Sequence, residues 1–165
     1  MRASHIALIA ALAIAAFQLA YFYPQLPPVV ASHFNAAGVA TGWQPKALFI
    51  GILCLVYALF ALISWAMPHL IMTMPPELIH LPNKAYWLAP QRREQTAHVL
   101  GDQMGWFGAV EVGFVTCVAQ LAINANLMGA NANLGPGLLF VTGVFVLVVI
   151  VWTVQLYRTF SRTSL

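Results

Sequence analysis

Residues 112–157 read VGFVTCVAQLAINANLMGANANLGPGLLFVTGVFVLVVIVWTVQLY, 46 residues without a single Asp, Glu, Lys or Arg. A helix crosses the hydrocarbon core of a bilayer with about 20 apolar residues, so the run is too long for one crossing and long enough for two. The insert at residues 124–137, NANLMGANANLGPG, supplies the turn chemistry that divides it. Spans over about 104–123 and 138–157 follow. The second of these is rich in Val, and local propensity alone reads it as strand. Lipid accepts only helices or closed barrels, and the unbroken apolar length decides for helix. Upstream, two more charge-free runs cover about 6–23 and 47–67. The expectation is an all-α integral membrane protein, a single membrane domain of four transmembrane helices.

Composition agrees. Of 165 residues, 61% are hydrophobic and 12% aromatic, and only 7 Lys+Arg and 4 Asp+Glu are present. A water-soluble domain of this size needs more charge to cover its surface, which argues against a cytosolic enzyme, a disordered chain or a disulfide-stapled secreted module. A net charge of +3 with cations scattered along the chain makes no nucleic-acid footprint. Those cations set orientation instead. With the N-terminus inside, Arg2, Lys84, Arg92, Arg93, Arg158 and Arg162 fall on the cytoplasmic side and only Lys46 outside, so both termini are expected in the cytoplasm. Tyr21, Tyr23 and Trp43 would then mark the outer interface, and Trp65, Trp106, Trp152 and Tyr157 the inner one. The first run contains a small-x-small triplet at Ala13, Ile14 and Ala15 but continues to Tyr23, past the length of a signal-peptide core, so it is read as a retained span. Cys54 and Cys117 lie inside spans and are read as packing residues.

The outer loop, residues 24–46, is too long for a minimal connection and suggests a structured or functional element. Pro24, Pro27 and Pro28 end the first helix. Residues 29–34 are apolar enough to lie in the interface, and residues 35–38 and 41–42 carry turn signals. His33, Phe34, Asn35, Trp43 and Lys46 are the candidate partner-binding residues. His33 has no second ligand nearby, so no metal site is expected; a loop histidine bonded to backbone is the plain reading and a recognition surface the functional one. The cytoplasmic loop, residues 68–103, cannot be one helix because Pro75, Pro76, Pro82 and Pro90 interrupt it. Its second half, with Glu94, His98 and Asp102 at i+4 spacing, reads as a solvated helix face continuing the third span. Tyr86 and Trp87 read as headgroup anchors, and Arg92 and Arg93 as contacts to lipid phosphates.

Within the third span, Gly105, Ala109, Gly113 and Cys117 continue a four-residue repeat from Gly101. This is a small-residue face for close helix packing, joined by Thr116 and Gln120 as hydrogen-bonding residues. Glu111 is the formally charged residue inside the spans. It lies nearly opposite that face by helical angle, with Trp65, His69, Gln155 or Arg158 as partners by depth. An intramembrane acid suggests ion handling by default, but one acid without a basic partner or a second acid makes a poor pathway.

The outer loop carries a resemblance. Tyr23, Pro24, Leu26, Pro27, His33, Phe34, Asn35, Gly38, Gly42 and Lys46, between two spans, resemble the signature of the bacterial membrane domain of unknown function numbered 1648. Residues 82–96, PNKAYWLAPQRREQT, are similar to the cytoplasmic segment of its short members. That domain also opens the SdpI-like proteins, which confer immunity to a secreted peptide toxin and can transduce signals. This chain is shorter than they are and has Pro28, Val29 and Val30 where an acidic or polar residue often sits. The resemblance implies a fold segment and a bacterial membrane location, here the cytoplasmic membrane. The expected function is non-enzymatic and without cofactor, an outer loop that binds a partner or peptide in the manner of SdpI-like immunity or sensing proteins. An accessory subunit docking through the small-residue face is the alternative, with a small transporter or metal-dependent enzyme using Glu111 and the loop histidines behind it. The expected partners are the lipid bilayer and a membrane protein or peptide, with a homo-oligomer left open and nucleic acid excluded.

Overall fold

The computed structural model describes residues 2–129 and 132–163. Helix α1 (Ala3–Phe22) leads into strands β1 (Val29–Phe34) and β2 (Ala40–Pro45), which run directly into α2 (Lys46–Thr73). A 3-10 turn at Pro76–Leu78 and the one-turn helix α3 (Lys84–Trp87) precede the long α4 (Arg93–Leu127), and α5 (Gly137–Ser161) closes the chain. Among the described residues, α1, α2, α4 and α5 are long and apolar enough to cross a membrane, which makes this a multi-pass membrane architecture. The 35 residues of α4 extend about 50 Å, well beyond a hydrocarbon core of about 30 Å. Its surplus is the polar stripe of Glu94, His98 and Asp102, helical as the sequence suggests.

Helix α4 is the spine. α1 and α2 lie along it and scarcely touch each other, and α5 packs on another side of it. Small residues permit the close approach: a Cβ at Gly105 would fall 2.9 Å from the Ser4 Cβ, and one at Gly108 would overlap the Ser64 hydroxyl. Between the two ends, Leu8, Ala15, Leu19, Tyr57 and Val112 form an apolar cluster. Polar side chains bind the three helices beside it. Gln18 donates to the Gln120 side chain at 2.8 Å and to the Thr116 carbonyl at 3.1 Å, and Tyr57 Oη lies 3.2 Å from Thr116 Oγ1. Helix α5 meets α4 through two stacked pairs, Phe107 on Trp152 and Phe114 on Phe145.

Four connecting features differ from the sequence expectations. The segment read as an interfacial stretch with two turns is an antiparallel hairpin, and the turn expected at residues 41–42 lies inside β2. Trp87 is not a headgroup anchor: it is fully buried against Phe160 and Leu100, and its indole N–H donates to the Phe160 carbonyl at 2.8 Å. Arg93 turns inward, donating to the Met74 carbonyl at 2.8 Å at the end of α2, while Arg92 stacks on the Tyr86 ring at 4.0 Å. Lipid phosphates are therefore not needed to account for either arginine. Finally, α4 runs four residues into the Asn-rich stretch read as turn, carrying Asn124 and Asn126 as helix.

Candidate functional site

The hairpin closes one end of the bundle, and its position follows from the residues that flank it. Prolines 24, 27 and 28 stop α1, and the Lys46 N–H donates to the Pro28 carbonyl at 2.9 Å, closing the base. The Lys46 ammonium reaches back to the carbonyls of Leu26 at 3.0 Å and Tyr23 at 3.2 Å, above the Tyr23 ring. It thereby satisfies carbonyls at the exit of α1 that have no helical donor. At the tip, the Asn35 side-chain oxygen accepts from the N–H groups of Ala37 and Val39, both at 3.0 Å, the Asx geometry that suits Asn to turns. Gly38 takes φ +77° there, a left-handed conformation that favours glycine.

Register sets which side chains face out. Val29 pairs with Pro45, Val30 with Gln44, Ala31 with Trp43, His33 with Gly42 and Phe34 with Ala40, with irregularities on both sides of His33. Val30 and Ala31 are buried, and Phe34 packs half-buried on the same apolar cluster, which includes Phe49 and Ile123. His33 is exposed, its Nδ1 3.0 Å from Ser32 Oγ, and it lies over Gly42, where a Cβ would come within 3.1 Å of its own. Trp43 is 61% exposed.

Two contacts from the far half of the chain hold the hairpin against the bundle. The Asn126 side chain accepts the Ala31 N–H at 2.6 Å and donates to the Ala31 carbonyl at 2.9 Å and to the Ala122 carbonyl at 2.8 Å. It does for the free edge of β1 what a third strand would. On the other side, the Leu134 N–H donates to the Gly38 carbonyl at 2.9 Å and the Ala40 N–H to the Ala132 carbonyl at 3.3 Å. Sequence reasoning missed Asn126. Its one signal is an amide residue one turn beyond an apolar run, and turn chemistry explains that equally well.

The five outer-loop residues singled out in the sequence thus gather in one hairpin with different surroundings. Asn35 and Lys46 bond to backbone, Phe34 joins the core, and His33 and Trp43 project. The small-residue face divides as well. Gly105 is buried under Ser4 and Ala109 flanks the mid-bundle cluster, whereas Gly113 has nothing within 4 Å of a Cβ. Gly113 and Cys117 line an apolar depression between α4 and α5 with Phe114, Phe140 and Val144. Glu111 is half-buried in α4, between the turns that carry Phe107 and Phe114. No ion pair links it to His69 or Arg158 among the described residues. Nor do three or more His, Cys, Asp or Glu side chains gather there to hold a metal ion.

Residues 8–56 match a family model described as a domain of unknown function, DUF1648. Over this segment, less than a third of the chain, the protein is similar to the DUF1648 domain. It begins inside α1, takes in the whole hairpin and ends within α2. The matched segment therefore holds all five candidate residues of the hairpin, while the helix that anchors it through Asn126 lies outside. Comparisons with curated proteins and with solved structures find no match.

Proposed function

We propose that this protein is a non-enzymatic component of the bacterial cytoplasmic membrane whose hairpin faces outward and binds a protein or peptide partner, as in SdpI-like immunity and sensing proteins. The observation that carries the reading is how firmly an exposed surface is fixed. Asn35, Lys46 and Asn126 each spend their side chains on hairpin or flanking backbone, and His33 and Trp43 are left projecting from the result. Fixing a recognition element before binding lowers the entropy lost on association. Tryptophan is also among the residues that most often anchor interfaces. The distribution of Lys and Arg supports the outward orientation.

Site-specific photo-crosslinking in growing cells tests this. A crosslinker at position 33 or 43 is expected to give a discrete protein or peptide adduct, whereas one at Leu147, on the exposed face of α5, gives none. No adduct at 33 and 43, or the same adduct at 147, overturns the reading.

The alternative of an accessory subunit gains one observation. Gly105 is already covered by α1, so the surface left for a neighbouring helix is the open stretch at Gly113 and Cys117. Gly113→Leu is then expected to release the chain from its complex, and retention in the complex would contradict that version.

A further inference from the structure

The end of the bundle opposite the hairpin carries a groove with its own chemistry. Between α1 and α2, over α4, two adjoining clefts of about 330 and 390 Å3 share His5, Ser64 and Trp65. Glycines of α4 form the floor, Gly101 in the first and Gly105 in the second. Pro68 lines the first cleft from inside α2. Having no N–H, it leaves the Ser64 carbonyl without its helical donor at the same level.

Polarity along the groove is graded. Arg2, His5, His69 and His98 line the outer cleft, with the exposed Glu94 at its rim. Arg2 donates to the His98 carbonyl at 2.9 Å and also contacts the His98 ring nitrogen Nδ1. These two bonds fix the guanidinium plane at the mouth, and a guanidinium carries five N–H donors in all. The His69 ring is held in turn, its Nδ1 2.9 Å from the Trp65 carbonyl and its plane beside the Trp65 indole. The inner cleft is lined by Leu8, Ile9 and Trp65 and is largely apolar.

We propose that this groove holds one phospholipid, its phosphate at Arg2 and an acyl chain lying between α1 and α2 along Leu8 and Ile9. Guanidinium and phosphate form strong, geometrically specific charge-assisted hydrogen bonds. A soluble anion would use the outer cleft and leave the inner one unfilled. A transmembrane helix would cover the apolar cleft and leave the guanidinium at the mouth without an anionic partner. A lipid has the charged end and the narrow apolar stem that the two clefts require.

Native mass spectrometry of the full chain released from detergent micelles tests the proposal, with phosphatidylglycerol, diacylglycerol of the same chains and inorganic phosphate offered separately. One phosphatidylglycerol per chain is expected to be retained at least tenfold over either of the others. Arg2→Gln lowers that retention at least tenfold, and so does Ile9→Trp, which fills the inner cleft without changing charge. Leu147→Trp, on the exposed face of α5, leaves it unchanged. Where Arg2→Gln disturbs folding, seen as lost helical circular dichroism, Ile9→Trp decides alone. Equal retention of diacylglycerol or of bare phosphate, an unaffected Ile9→Trp variant, or a second protein chain in place of the lipid overturns the proposal.

Discussion

Replacing Asn126 by Ala removes the amide that serves both the N–H and the carbonyl of Ala31, a residue 1% exposed. A buried backbone group left without a partner costs about 1 to 3 kcal/mol, so two of them cost about 2 to 6 kcal/mol. The higher helix propensity of Ala in α4 returns roughly 0.5 kcal/mol. Water reaching the vacated space returns a little more, leaving a net loss of about 1 to 5 kcal/mol. At about 1.4 kcal/mol per factor of ten, hairpin opening should become at least about fivefold more frequent. Amide hydrogen exchange on the detergent-solubilised protein reads this directly. Protection should fall across residues 29–34 by that factor, while the mid-bundle segment of α4 around Val112 keeps its own, because that cluster lies on a separate part of the spine. Asn126→Asp is a sharper version. It keeps an acceptor for the Ala31 N–H but turns the donor into a second acceptor facing the Ala31 and Ala122 carbonyls, so its loss should be at least as large. Unchanged protection at residues 29–34, or an equal loss throughout α4, would refute the reasoning that one side chain anchors the hairpin.

Other positions separate in the same way. Gly108→Ala forces a methyl into the Ser64 hydroxyl and should lower resistance to SDS unfolding by about 1 to 3 kcal/mol, whereas Gly113→Ala meets open space inside α4 and should leave resistance unchanged or raise it by up to about 1 kcal/mol. Trp87→Ala removes a fully buried indole that holds α5 through Phe160, and a loss of about 3 to 5 kcal/mol in the same titration is expected. Lys46→Met keeps the aliphatic stem but drops two bonds to the carbonyls at the end of α1. Because the site is half-exposed, the loss should be about 1 kcal/mol, seen as faster exchange of the Tyr23–Leu26 turn amides.

Most of the helical architecture is legible in the chain because lipid imposes a constraint that needs no tertiary knowledge: a charge-free stretch of sufficient length has to be a helix. The four spans match helices in the structure: α1 ends one residue short of its span, and the other ends lie beyond theirs, farthest at Arg93 and Thr73, where helices continue well past the apolar run. The hairpin is hidden for a physical reason. β2 reads ATGWQP, with Gly42 and Pro45 as strand breakers, and its pairing depends on Asn126 and on residues 132–134, about 90 positions away in sequence. Trp87 and Arg93 mislead in a related manner. An aromatic residue and a cation beside a span ordinarily mark the headgroup layer. Here each finds a carbonyl distant in sequence, Phe160 in α5 for one and Met74 just past α2 for the other, and contacts of that kind leave no local trace. His33 and Trp43, by contrast, are exposed in the structure at positions where sequence alone suggests a recognition surface.

The most direct measurement is cysteine labelling at the hairpin in intact cells. With Cys54 and Cys117 replaced by Ala, single His33→Cys and Thr163→Cys variants are treated with a membrane-impermeant maleimide before and after permeabilisation. An outward-facing recognition hairpin predicts that position 33 is labelled in intact cells and position 163 only after permeabilisation. Labelling of position 33 only after permeabilisation would place the hairpin in the cytoplasm and contradict an external partner.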